Sequence, residues 1–273
     1  MDRWRRVGRG VAMLGMAVFG YAVGCEPGRF RVAHAELDVP QLEMPVTVAV
    51  LADLHVGAPH VDLDQLAYIV EQTNAAEAEV VVVLGDLVID GVTGGEWVSP
   101  EAIAPVLGRL EAPGGVFAVL GNHDNWLDGV RVRRVLEEAG LVVLENEAHR
   151  VARSAGPLWV AGLADVLTHD IDIAATLAPV PPGEPVLLLT HSPDVFPDVP
   201  ARVGLTLAGH THGGQVRFPG LGSPVVPSKY GGRYALGHVV EEGRHLFVSG
   251  GVGTSIFPIR FGVVPRVDIL HLR

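Results

Sequence analysis

Thiols are nearly missing from this 273-residue chain, whose one cysteine is Cys25. No internal disulfide can form, and no thiolate-rich zinc site can be built. Any transition-metal site must therefore draw on His, Asp, Glu and Asn, which turns attention to the 12 histidines. Positive charge is scarce as well: 20 Lys and Arg stand against 31 Asp and Glu, a formal net charge of −11. Residues 1–30 hold five Arg and two acids, net +3, so the remainder carries −14. That acidic body lacks the basic footprint of a general nucleic-acid binder, and no nucleic-acid partner is expected. A phosphate substrate stays open to it, because bound cations reverse the local sign. The chain also lacks an N-terminal apolar run of spanning length. Val11–Cys25 counts 15 residues, short of the roughly 20 that cross a bilayer comfortably.

What is present indicates a folded core. Hydrophobic residues make up 48% and charged residues 19%, a balance that excludes wholesale disorder. Thirty-four Gly and 20 Pro suit many short connections. The first thirty residues stand apart. Arg3, Arg5, Arg6 and Arg9 precede the apolar run, and the small residues Ala22 and Gly24 precede Cys25. Residues 1–30 are expected to be a secretory signal or short membrane anchor, retained, cleaved or lipidated at Cys25; the other reading is a buried or amphipathic helix. The positive-inside rule then puts the rest of the chain outside the cytoplasm, at the cell membrane. Residues 31–45 read as a linker and edge strand, and residues 46–273 as the main domain.

Within that domain strands alternate with helices early, and strands predominate later. Strands are expected at 46–52, 80–84, 115–120, 141–144, 150–151, 158–163, 185–190, 205–208, 238–240, 245–248 and 266–272. Helices are expected at 61–76, 100–110, 128–139 and 170–177. The unbroken Val80–Leu84 run marks a fully buried strand. The pattern gives an α/β fold, a layered α/β/β/α sandwich of two mixed sheets flanked by helices.

Five expected strands end in polar clusters: Asp53-Leu54-His55, Gly85-Asp86, Gly121-Asn122-His123-Asp124, Thr190-His191 and Gly209-His210-Thr211-His212. Ligands collect at the carboxyl ends of strands in α/β sheets, so five such ends can share one place. The i, i+2 spacing of Asp53 with His55, and of His210 with His212, puts each pair on one side of an extended backbone. Gly85, Gly121 and Gly209 permit sharp turns beside a crowded site. Imidazole with carboxylate and no thiolate suits Mn, Fe or Zn.

These five blocks, in order from residue 53 to 212, resemble the complete signature of calcineurin-like metallophosphoesterases. The resemblance implies two divalent metal ions. Asp53, His55 and His212 would hold the first, Asn122, His191 and His210 the second, and Asp86 would bridge both. It implies hydrolysis by a metal-bridging hydroxide, with His123 protonating the leaving oxygen and Asp124 orienting His123. The Gly209–Gln215 stretch and Gly250–Phe261 also resemble a bacterial membrane-associated or exported branch that includes enzymes acting on UDP-2,3-diacylglucosamine. The expected substrate is thus a phosphodiester or pyrophosphate in a phosphorylated small molecule or lipid. The alternatives are a phosphomonoesterase or protein phosphatase on the same site, and a non-catalytic metal-binding scaffold.

Outside these blocks the polar residues read as structural. His34, His149, His169, His238, His245 and His271 fall in this class, as does His60, for which substrate contact is the other reading. Asp90 reads as a turn residue, with support of a metal ligand as the alternative, and Arg217, Lys229, Arg233 and Arg260 as solvated loop charges, with a second phosphate or a sugar as theirs; Phe218, Leu221, Val225, Val226, Tyr230 and Tyr234 read as ordinary packing or as a face for lipid. No substrate-binding residue is assigned.

Overall fold

A computed structural model describes residues 2–42, 44–89 and 91–273. Two six-stranded sheets lie face to face. Sheet one contains β1 (Arg31–Leu37), β2 (Val46–Leu51), β3 (Val80–Val83), β4 (Val116–Ala118), β5 (Val142–Val143) and β12 (Arg266–Leu272), in the order β1-β12-β2-β3-β4-β5. Sheet two contains β6 (Glu147–Arg150), β7 (Trp159–Gly162), β8 (Val186–Leu189), β9 (Leu205–Ala208), β10 (Gly237–Glu241) and β11 (Arg244–Val248), in the order β10-β11-β9-β8-β7-β6. β2, β3, β4 and β5 run parallel, as do β7, β8, β9 and β11. The antiparallel pairs are β12 with β2, β10 with β11 and β6 with β7. Both sheets are therefore mixed.

Side-chain alternation sorts each strand between two cores. Val48 and Val50 of β2 meet Leu187 and Leu189 of β8 in the layer between the sheets. Ala49 and Leu51 point the other way, against α2 (Leu63–Asn74), α3 (Pro100–Leu107) and α4 (Asn122–Glu138), through Leu66, Ile69, Ile103, Leu107, Val132 and Leu136. Leu188 and Ala208 face a third cluster built on Leu177 of the short α5 (Ile173–Leu177), with Phe196 and Tyr234. The result is the α/β/β/α sandwich, with a thin outer layer on sheet two. Asp172 stops α5 from starting at residue 170: its carboxylate accepts the Ala175 amide, a cap that lies outside the helix.

α4 departs most from the sequence expectation. It begins at Asn122 and breaks at Asp128, whose φ of 179° and ψ of 86° are extended. Asp128 caps the second segment by accepting the Arg131 amide, so the expected start at 128 is that of the second segment alone. The first turn is anchored by Asp124, whose carboxylate accepts the Gly121 amide at 3.0 Å. Asn122 and His123 thus sit on a helical turn rather than in a loop.

At the N-terminus, α1 (Asp2–Gly24) is one helix ahead of a short 3-10 turn at Glu26–Gly28. Among the described residues, no helix is long and apolar enough to cross a membrane.

Candidate metal centre

The parallel strands β2, β3, β4, β8 and β9 deliver their carboxyl ends to one place. There the chain makes tight turns. Asp53, His55, Asp86, His210 and His212 all hold left-handed backbone, with φ of 50°, 43°, 55°, 67° and 50°. A non-glycine residue pays about 1–2 kcal/mol for that conformation, and such strain gathers where the surroundings impose a functional geometry. Each pair separated by two residues reaches the centre through these turns, so the extended-strand spacing expected above is not what aligns them. Hydrogen bonds to the next strand hold the turns: the Asp53 amide donates to Gly85 O at 3.1 Å and the His55 amide to Asp86 O at 2.9 Å.

All eight His, Asp and Asn side chains named for metal binding or leaving-group protonation come together. Asp86 Oδ2 lies 3.3 Å from His191 Nε2, 3.6 Å from His55 Nε2 and 3.9 Å from His123 Nε2. His55 Nε2 faces His212 Nε2 at 3.2 Å, and His212 Nε2 is 3.9 Å from Asp53 Oδ1. His191 Nε2 is 3.2 Å from both His210 Nδ1 and Asn122 Oδ1. Among the described residues, three groups have donor atoms close enough to surround one ion each: Asp53 with His55 and His212, Asp86 with His191 and His210, and Asp86 with His55 and His123. All are buried except the half-buried His210.

The donor chemistry fits cations. His55 Nδ1 is 3.2 Å from Val88 O and His191 Nδ1 is 2.7 Å from Leu84 O. A carbonyl only accepts, so each Nδ1 carries a proton, and in the neutral ring each Nε2 turns a lone pair inward. Acceptors then face acceptors across the centre, and Asp53 Oδ2 is buried without any partner. Burial of such groups must be offset by positive charge. The titration behaviour agrees. Burial pushes the Asp53 carboxyl up to about 7. Burial also works to raise Asp86, but His191, His55 and His123 override it and hold Asp86 well below the usual carboxylate range. Burial drives His55 and His210 down to about 4 and His212 well below its ordinary value. His191 is opposed by burial yet raised to about 10 by Asp86. The site thus demands a positive charge beside Asp86.

Asp124 requires a correction. It does not touch His123, whose Nδ1 is buried without a partner. Its two oxygens instead accept backbone amides of Asp86 at 2.8 Å, Leu87 at 2.9 Å, Val88 at 3.3 Å and Gly121 at 3.0 Å. Asp124 is therefore a strut for the Asp86 turn. Two glycines make the same contact possible. A Cβ on Gly121 would collide with Asp86 Oδ1 and lie 2.8 Å from His191 Cε1, and Gly85, at φ +81°, presses on the Gly121 backbone.

Arg260 is also misread as a solvated charge, because it is wholly buried. Its guanidinium donates to the carbonyls of Gly250, Gly253 and Val263 and lies 3.5 Å from His212 Nδ1. Burial lowers its pKa to about 10. The apolar residues around Arg260 in the sequence, Ile259 and Phe261, were the only local sign. Arg233 pairs with Glu241 at the surface. His60 reaches Val23 O at the end of α1. Asp90 lies outside the described residues.

A cavity of about 440 Å³ opens onto the centre. Asp86, His123 and His210 form its polar side, while Trp126, Val225 and Ile256 form an apolar wall. Trp126 and Ile256 carry no sign of this role in the sequence, since one belongs to a polar helix turn and the other to a loop without regular pattern.

Known proteins resemble this chain in sequence. A sequence model of the family described as calcineurin-like phosphoesterase matches residues 46–214. Phosphodiesterase YaeI of Escherichia coli is 31% identical over 264 residues, covering 93% of this chain and 92% of YaeI. The uncharacterized metallophosphoesterase YkuE of Bacillus subtilis is 28% identical over 263 residues, covering 93% of this chain and 90% of YkuE. Among solved structures, the NAD nucleotidase of Haemophilus influenzae aligns with a TM-score of 0.48 at 13% identity; 76% of this chain covers 45% of that one.

Proposed function

Because the chain belongs to the calcineurin-like phosphoesterase family and is thereby a metal-dependent phosphoester hydrolase, we propose that it cleaves a phosphodiester or pyrophosphate bond in a phosphorylated small molecule or lipid at a membrane. The observation that carries the chemistry is the inward-facing set of imidazole nitrogens and carboxylate oxygens around Asp86. Asp53, His55 and His212 would hold one divalent ion, Asn122, His191 and His210 the other, and Asp86 would serve both; Mn, Fe and Zn suit these ligands. Such ions supply Lewis acidity, lowering the pKa of a shared water and polarising the phosphoryl group.

The chain's own groups do the rest. Val88 and Leu84 carbonyls fix the tautomers of His55 and His191. Asp124 fixes the turn that aims Asp86. His123 stands at the cavity wall with its ring against Trp126, centroids 5.1 Å apart, and gives a proton to the leaving oxygen. The leaving group sits against Trp126, Val225 and Ile256, an apolar wall that suits a lipid-linked substrate such as UDP-2,3-diacylglucosamine. Membrane attachment is supported by the Arg-rich start and the apolar α1. The helix exposes Met13, Leu14, Met16, Val18 and Phe19 around its circumference, as expected of a helix that meets lipid. The positive-inside rule applied to that Arg-rich start supports an extracytoplasmic catalytic domain.

The test is hydrolysis of bis-(p-nitrophenyl) phosphate with Mn²⁺ by the native protein and Asp86→Ala. The expected result is a loss of at least about 10³-fold in the variant; equal rates would remove the assignment.

A further inference from the structure

Exposed apolar side chains line the cavity at Trp126, Val225 and Ile256, and others lie next to Val225 and Ile256 on the same loops. Leu221 is 87% exposed, Val225 73%, and Ile256 and Phe257 62% each, and Phe218 and Trp126 are exposed as well. Single exposed apolar residues are ordinary, but a clustered rim around a cavity marks a contact surface. Three observations identify what covers it.

The first is continuity with α1. Tyr21 packs edge-on to Phe261, centroids 6.5 Å apart, and Phe261 packs on Phe218 at 5.6 Å. The Arg260 amide donates to Ala22 O at 2.9 Å, and the Val263 amide to the buried Glu26 carboxylate at 2.9 Å. The root of the apolar helix is therefore fastened to the loop that carries Ile256 and Phe257. The second is length. The 15-residue run at about 1.5 Å per residue reaches about 22 Å, against a hydrocarbon core of about 30 Å. A stretch that short is met by local thinning of the bilayer or snorkelling of its flanks, and either leaves the attached domain close to the lipid surface. The third is charge. A chain of net charge −11 has no Asp or Glu in residues 199–240 or in residues 243–267, the two segments that build this rim. Those segments carry Arg217 and Lys229 instead, so the rim does not repel an anionic headgroup layer.

We propose that the rim formed by Leu221, Val225, Ile256 and Phe257 docks into the surface of a lipid bilayer, so that the cavity opens at headgroup level and takes phosphoesters whose apolar part stays in the membrane. This rests on the membrane-bound phosphoesterase reading above and adds the face and the direction of substrate entry. Apolar side chains at the interface supply the binding, and the phosphate comes within reach of the metal centre without the lipid leaving the bilayer.

The experiment uses the full chain in vesicles of phosphatidylcholine and phosphatidylglycerol. A bimane label is placed at Phe257→Cys in a Cys25→Ser background. A control label goes at Glu111→Cys, an exposed site before the start of β4, at the opposite end of the sheets. With nitroxide lipids present, the label at 257 is expected to lose about half its fluorescence or more and the label at 111 almost none. Equal quenching at both positions overturns the proposal. So does a rim label shielded by a second copy, seen as dimerisation in sedimentation without lipid. A second arm compares the native protein with Leu221→Glu/Phe257→Glu, neither residue lining the cavity. The variant should lose about tenfold on a vesicle-borne phosphodiester and stay within about twofold on bis-(p-nitrophenyl) phosphate. Equal losses on both substrates overturn the docking role. Quenching does not depend on turnover. A quenched but inactive protein would therefore refute the hydrolase, and an active protein with no quenching would refute the rim.

Discussion

Replacing Asp124 by Asn separates two roles that the motif alone confounds. If the carboxylate orients His123, the change should slow the reaction and leave folding alone. The structure gives it a different task, because both oxygens are occupied by four backbone amides in a fully buried place. An asparagine keeps one acceptor oxygen and turns an N–H₂ toward amides that also donate. That leaves one or two buried donors unpaired, at about 1–3 kcal/mol each. The expected loss is about 2–5 kcal/mol, a large share of the roughly 5–15 kcal/mol that holds a domain together. Burial and the nearby Asp86 push the Asp124 carboxyl up to about 6, so the comparison belongs at pH 7.5, where it is ionised. Urea denaturation with chelator present gives the stability without metal linkage. Calorimetric titration with Mn²⁺ then reports the aim of Asp86, and weaker binding is expected. A stability change under about 0.5 kcal/mol, with native metal affinity and a rate loss equal to that of His123→Gln, would refute this reasoning.

Three further outcomes follow from the same geometry. His123→Gln should lower kcat by about 10²–10⁴-fold while metal content by mass spectrometry stays native; loss of metal would make His123 a ligand instead. Burial holds Asp53 near 7, and Asp86 outweighs burial to hold His191 near 10. Since ligands bind deprotonated, Mn²⁺ uptake should release protons and tighten as pH rises from about 6 to 8. Calorimetry in buffers of different ionisation enthalpy reads this directly, and a pH-independent affinity would contradict it. Arg260→Met should destabilise by about 3–5 kcal/mol, because three buried carbonyls lose their donor. The exposed Arg233→Met should change stability by under about 1 kcal/mol in the same urea assay.

Much of the architecture was legible because periodicity reports burial. The unbroken Val80–Val83 run and the alternation in Val46–Leu51 mark strands whether or not the partner strand is known. The polar clusters after β2, β3, β4, β8 and β9 were legible as one place because parallel strands share a carboxyl end. The start of α4 was not, since Asn122 and His123 are poor helix formers, and the turn is held by a hydrogen bond from the Gly121 amide to the Asp124 carboxylate. Leu221 and Tyr234 look alike on paper, yet one is largely exposed and the other wholly buried, because packing depends on neighbours distant in the chain.

The order of strands and helices, the acidic charge, the want of thiols and the positions of the strand-end ligands were set by the sequence itself, since each is a local property of residue type and spacing. Tertiary structure alone decided that Asp53, His55, Asp86, His210 and His212 turn left-handed, that Asp124 braces the Asp86 turn, that Arg260 is buried behind His212, and that an apolar rim adjoins the cavity. Each of these depends on a hydrogen bond or contact between segments tens to hundreds of residues apart. Such pairings leave no period in the sequence, because their energy arises only when both partners have been brought out of water together.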